Sequence, residues 1–151
     1  MPGLLIVTHV LVYAFDQNDT ARQDRAVVVL QQRELHDIGR WSVQVLAESF
    51  SASTRRRHPP LMPAEALAHL DTLARAFSVL PLTPQVVLEA ARGVRDHRLN
   101  YWEAQVWAMA RLNQIPAALS DDSSGGTTLS GVRFANPFAP KFDLEGWTGI
   151  G

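Results

Sequence analysis

The chain has 151 residues, of which 46% are apolar and 19% charged, and its net charge is -1. This suffices for one globular domain with a substantial core and excludes a disordered chain. The near-zero charge gives no global attraction to nucleic acid, and the lack of cysteine excludes disulfides, zinc–thiolate sites and thiol catalysis.

The chain opens with "GLLIVTHVLVYAFDQND". Residues 4–7 read as a buried strand and residues 10–15 are apolar again, with Thr8 and His9 between them. This run is interrupted, lacks a basic leader and falls short of the roughly 20 apolar residues a membrane span needs, so the chain reads as cytoplasmic with no membrane partner. Asp19 or Thr20 can cap a helix through "ARQDRAVVVLQQREL". "RWSVQVLAESFSAST" reads as a short strand turning directly into a helix, and "RRRHPP" ends that pattern. "MPAEALAHLDTLARAF" has an early proline and helical apolar spacing. "SVLPL" is a short strand, and Thr83 and Pro84 open the capped helix "TPQVVLEAARGVRDH". The helix "LNYWEAQVWAMARLNQ" and the strand "AALS" come next. "DDSSGGTTLSG" is a loop by composition, and "VRFANPF" suits a final edge strand because it stops at Pro137. The order predicts an α/β fold with a mostly parallel sheet of about five short strands flanked by helices. One domain over residues 1–138 and a loosely ordered tail over 139–151 are expected.

The chemistry-bearing residues are carboxylates. Glu48 lies in the helix after the second strand, Glu103 in the first turn of the helix after "HRLN", and Asp121 and Asp122 after "AALS". Open parallel sheets bind ligands at the carboxyl ends of their strands, and oxygen ligands of this kind suit Mg²⁺ or Mn²⁺. Each also has a structural reading. Asn100 and Glu103 fit a capping box, Glu48 fits a solvated helix face, and Asp121 and Asp122 fit a turn. The basic residues are thirteen Arg and one Lys, Lys141. Arg55, Arg56, Arg57 and His58, and again Arg92, Arg95, His97 and Arg98, can either hold phosphates or form a solvated surface. Trp41, Trp102 and Trp107 can stack on bases, though their positions favour core or interface packing.

Five blocks, "THVLVYAFD", "WSVQVLAESF", "LNYWEAQVWAMA", "ALSDD" and "GVRFANPF", stand in the order and spacing of PIN-domain proteins. They resemble most the ribonuclease toxins of VapC-type toxin–antitoxin pairs, and the resemblance runs from about Leu4 to Phe138. It implies a three-layer fold with four acids around one or two Mg²⁺ or Mn²⁺ ions, an RNA substrate, a cognate antitoxin and a homodimer. The helices "AQVWAMARL" and "VLQQREL" also look more apolar than one shallow domain needs.

Carried over by position, the second family acid is Glu48. The third is Glu103, where the family usually has Asp, and the fourth is Asp122, with Asp121 as a neighbour able to share the role. The first falls at the strand end, where this chain has Val7 followed by Thr8 and His9. Val7 suits a strand core and removes the central ligand. His9 is either a substitute ligand or a structural hydrogen-bonder. Asp16 and Asp19 read as turn and cap residues. The resemblance thus implies a metal-dependent endoribonuclease lacking its first acid, or a PIN-fold module that binds antitoxin or RNA without cleaving. A phosphoacceptor receiver domain would need a carboxylate pair after the first strand, which Val7, Thr8 and His9 do not supply.

Overall fold

The computed structural model describes residues 3–6, 20–31, 39–55, 60–119, 128–136 and 138. Among the described residues the elements run β1 (Leu4–Ile6), α1 (Thr20–Gln31), β2 (Gly39–Ser42), α2 (Val43–Arg55), α3 (Pro63–Ala76), β3 (Ser78–Leu80), α4 (Pro84–His97), α5 (Tyr101–Leu112), β4 (Ala117–Leu119), β5 (Thr128–Leu129) and β6 (Val132–Ala135). The strands form one sheet in the order β3-β2-β1-β4-β6-β5. Every neighbouring pair is parallel except β5 and β6. The α/β class and the mostly parallel sheet expected from the sequence are what the chain adopts.

β1 lies inside the sheet, with Leu4 opposite Gly39 on one side and Ala117 on the other. All three of its residues are buried, because helices cover both faces of a parallel sheet and leave no solvated side. Strand alternation then divides the core in two. Leu4, Ile6, Ala117 and Leu119 join Trp41, Val45, Phe77 and Ala26 on one face. Leu5, Ala118, Val132 and Phe134 join Val86, Ala90, Ala104, Trp107 and Ala108 on the other. Trp41 is fully buried with its ring tilted against Phe77 at 4.6 Å, as its position at a strand end predicts.

The helix starts follow local chemistry. Pro63 and Pro84 occupy first-turn positions that need no N–H donor. Thr83 Oγ1 accepts from the Val86 amide at 3.3 Å, and Ser42 Oγ caps α2 by accepting from the Val45 amide at 3.2 Å. At the end of α5 a non-glycine residue, Gln114, takes the left-handed conformation at φ 58°. The Ile115 amide then reaches back to the Ala110 carbonyl at 2.8 Å and Ile115 is buried, which turns the chain sharply into β4.

Four expectations change. The stretch read as a loop to Gly131 ends in a strand, since Thr128 and Leu129 pair antiparallel with Arg133 and Val132. Ser130 and Gly131, at φ 46° and 85°, make the two-residue turn whose positive φ angles match the twist of a hairpin. The "VRFA" strand is consequently interior, held by β4 on one side and β5 on the other, and the sheet has six strands where about five were expected. Finally, the apolar surplus of "AQVWAMARL" is used within the chain. Ala104, Gln105, Trp107, Ala108, Met109 and Ala110 are all buried by the sheet and α4. The described part of the first helix is Thr20–Gln31, and residues 32–35, Asp16, Asp19 and the tail at 139–151 lie outside the described residues. None of the described helices is long and apolar enough to cross a membrane.

α4 and α5 form an antiparallel pair in which Gly93 packs against Trp107. A Cβ at Gly93 would lie 2.8 Å from Trp107 Cζ3 and 2.9 Å from Cε3. The indole is restrained by its Nε1–H donating to the Leu129 carbonyl at 3.2 Å and by His97 edge-on at 5.5 Å. Helix propensity favours Ala over Gly by about 1 kcal/mol, whereas overpacking costs about 1–3 kcal/mol. Gly93→Ala is therefore expected to lower unfolding free energy by up to about 2 kcal/mol in denaturant titration. An increase would show that the helices separate at no cost.

Candidate functional site

The parallel strands all end at one edge of the sheet. β1 and β4 end there in register, with Ile6 opposite Leu119, and they stand at the point where strand order reverses. From β1 the chain builds outward to β2 and β3 on one side, and β4 and β6 lie on the other. Such a switch point opens a crevice, because the connections on its two sides leave in opposite directions. Residue 7 follows β1 here, and residues 120–122 follow β4. Val7, Thr8, His9, Asp121 and Asp122 all lie outside the described residues.

Two of the acids are on described helices that begin at this edge. α2 starts directly after β2, so its amino-terminal turn lies at the strand ends. Glu48 is its sixth residue, about 7.5 Å along the axis, and is exposed. Gln44 Nε2 donates to Glu48 Oε1 at 2.6 Å. This neighbour is absent from the sequence reading, although the i,i+4 spacing of Gln and Glu is a visible signal for it. α5 turns into β4 through residues 113–116, which directs its amino terminus toward the carboxyl end of β4. Glu103 lies in that first turn and is half-buried. Its amide donates to Asn100 Oδ1 at 2.8 Å, and Asn100 Nδ2 donates to Glu103 Oε2 at 3.4 Å. Asn100 therefore caps α5 as the capping-box reading expects, whereas the Glu103 carboxylate meets the Asn100 side-chain amide where the box has the N-cap backbone N–H.

The donor chemistry at Glu48 and Glu103 is hard carboxylate oxygen, the kind that Mg²⁺ and Mn²⁺ take. Val7, outside the described residues, is aliphatic by sequence. Among the described residues no group of three His, Cys, Asp or Glu side chains could hold a metal ion.

The basic residues divide by position and partner. Arg55 ends α2, about 10 Å along the axis beyond Glu48, and Arg56, Arg57 and His58 lie outside the described residues. Arg92 is paired with Glu89 at 3.1 Å, and Arg111 lies 3.7 Å from the same carboxylate. Arg95 grips its neighbour Asp96 through two bonds of 2.6 and 3.0 Å. That bond holds the Asp96 carboxyl below its ordinary range and the Arg95 guanidinium above it. Arg98 has no ion pair among the described residues. It closes α4 in the left-handed conformation at φ 56° and stands three residues before the start of α5. Trp107 is core, whereas Trp102, for which the sequence favours core or interface packing, is 62% exposed and lies outside the core.

A sequence model of the PIN domain family matches residues 4–124. No curated protein sequence matches the chain. Among solved structures, the chain is similar to the VapC20 toxin of Mycobacterium tuberculosis, described as a sarcin–ricin loop cleaving toxin. The identity is 19%, 80% of this chain and 92% of that chain are covered, and the TM-score is 0.62. It is also similar to a DNA-bound VapBC from Salmonella typhimurium at 13% identity, covering 91% of this chain and 99% of that chain with a TM-score of 0.63. A toxin–antitoxin complex from Klebsiella pneumoniae matches at 11% identity, 89% and 98% coverage and a TM-score of 0.62. At such identities the likeness is one of fold. The family match, which takes in β1 through β4 and both helical acids, decides the family: the chain belongs to the PIN domain family.

Proposed function

We propose that this PIN domain is a metal-dependent endoribonuclease of the VapC toxin type, acting in the cytoplasm beside a cognate antitoxin, with a metal shell one carboxylate short at Val7. The observation that carries the reading is the placement of Glu48 and Glu103 on two helices that start at the carboxyl edge of the strands, beside the β1–β4 switch point. The residues that would hold Mg²⁺ or Mn²⁺ are Glu48, Glu103, Asp122 and its neighbour Asp121. A bound divalent ion supplies charge neutralisation at a phosphoryl oxygen and a water of lowered pKa. Glu103 is held in place by Asn100, Glu48 takes a hydrogen bond from Gln44, and Arg98 is placed to receive a phosphate. Arg55, Arg56, Arg57 and Arg95 are secondary phosphate contacts, and Arg95 must share its charge with Asp96. The VapC toxin and VapBC complexes among the fold neighbours support the toxin and antitoxin parts of the reading.

Val7 favours a second reading, a PIN module that binds antitoxin or RNA without cutting. The two separate by metal titration and by cleavage assays on structured RNAs. The unaltered protein is expected to bind Mg²⁺ weakly and cleave little, with Mn²⁺ partly rescuing. Val7→Asp is expected to tighten metal binding by at least about 10–100-fold, since even outer-shell losses cost that much, and to raise cleavage with it. Val7→Asn adds no charge and should not. Brisk cleavage by the unaltered chain would overturn the missing-ligand reading. No response to Val7→Asp in either metal affinity or cleavage would remove the site itself.

Glu103→Gln provides a cleaner separation of structure from chemistry. Gln serves a capping box as Glu does, so stability should change by less than about 0.5 kcal/mol. In the Val7→Asp background, metal-dependent cleavage should fall by at least about tenfold. Equal cleavage with Gln at this position would take Glu103 out of the site.

Self-association belongs to the same proposal, but on a surface other than the buried helix α5. α4 leaves Val87 and Val94 exposed two turns apart on one side, with Leu88 exposed about 100° round the helix from Val87. Light scattering should show a dimer that Leu88→Glu weakens, and a clean monomer at high micromolar concentration would count against it.

A further inference from the structure

Trp102 is the most exposed aromatic side chain among the described residues. An indole left 62% exposed keeps a large apolar face in water, where burial under a flat apolar partner is favourable. Its surroundings state what that partner is. Tyr101, half-buried and packed on the second core cluster, meets Trp102 edge-on at 5.2 Å and 70°, so the indole is braced by a ring that the core holds. Arg98, without an ion pair among the described residues, closes the preceding helix four residues earlier. Glu103 is the next residue. Successive helical residues point about 100° apart, so Trp102 stands to one side of the acid.

We propose that Trp102 is the stacking platform for an unpaired nucleobase of single-stranded RNA next to the bond to be cut, with Arg98 taking the adjoining phosphate. This rests on the ribonuclease reading for its position relative to Glu103, but stacking itself needs no metal. The combination of a braced, solvent-facing aromatic ring and an available guanidinium is how proteins hold unstacked bases, because every base offers a π-face and every linkage a negative charge. An acidic protein partner would use Arg98 but has no need of a flat ring, and a purely apolar partner would leave Arg98 unused. RNA uses both.

The test is binding in the presence of chelator, so that cleavage does not enter. A short single-stranded oligoribonucleotide is titrated into the full chain and followed by fluorescence anisotropy of a label on the RNA. Trp102→Ala should weaken binding about tenfold, while Trp102→Phe should keep most of the affinity. An abasic position in the oligonucleotide should weaken binding to the unaltered protein, and that loss should vanish in Trp102→Ala. Equal binding by Trp102→Ala, an abasic loss that persists in it, or no binding by the unaltered protein overturns the proposal. So does a Trp102→Ala protein whose only defect is in self-association or antitoxin capture, which would make this a protein interface. Adding Mn²⁺ afterwards keeps the two claims apart. Trp102-dependent binding without cleavage, in the unaltered chain and in Val7→Asp, leaves stacking standing and removes the ribonuclease, and cleavage without Trp102-dependent binding does the reverse.

Discussion

The contact between Gly93 and the ring of Trp107 sets the position of everything on the second face of the sheet. The two helices can approach this closely only because position 93 has no side chain. The ring in turn is tied to β5 through its hydrogen bond to the Leu129 carbonyl, flanked by His97, and overlaid by the Arg111 guanidinium at 5.6 Å. One indole thereby joins α4, α5 and the β5–β6 hairpin. Because α5 carries Glu103 in its first turn and Trp102 just before it, the packing at its middle decides where its amino terminus stands. The small residues Ala104, Ala108 and Ala118 serve the same end, since they let α5 lie close on the strands.

On the other face the corresponding element is Trp41, buried against Phe77 between β2 and the end of α3. It holds the base of α2, whose first turn is capped by Ser42 and whose second carries Glu48. Two helices therefore reach the carboxyl edge of the sheet from opposite layers, each anchored by a buried tryptophan. Each also presents an acid that a neighbouring amide contacts, Gln44 for Glu48 and Asn100 for Glu103.

Charge at this edge is divided in the same local way. Arg92, Arg95 and Arg111 have carboxylate partners within α4 and α5. Arg92 and Arg95, which the sequence offers as part of a phosphate-binding cluster, are thus partly neutralised by carboxylates three and one positions away. Arg98, which ends α4 in the left-handed conformation, has no ion pair among the described residues.

The sequence by itself determined the local elements and the family. Capping residues, prolines at helix starts and continuous apolar runs are read within a few residues of one another, so α2 to α5 and the strands β1 to β4 and β6 were all legible. The motif blocks that mark the PIN domain likewise keep their order along the chain. What the tertiary structure alone decided concerns partners far apart in sequence. β5 is too short to show any period and exists only because β6 offers it an edge. β6 becomes interior for the same reason. Whether an aromatic residue in an apolar helix faces the core or the solvent depends on which side the sheet approaches. Helical spacing places Trp107 and Trp102 on different sides of α5, but it cannot say which side is covered. Only the packing of Gly93 against Trp107 settles that, and it leaves Trp102 in water beside the acid.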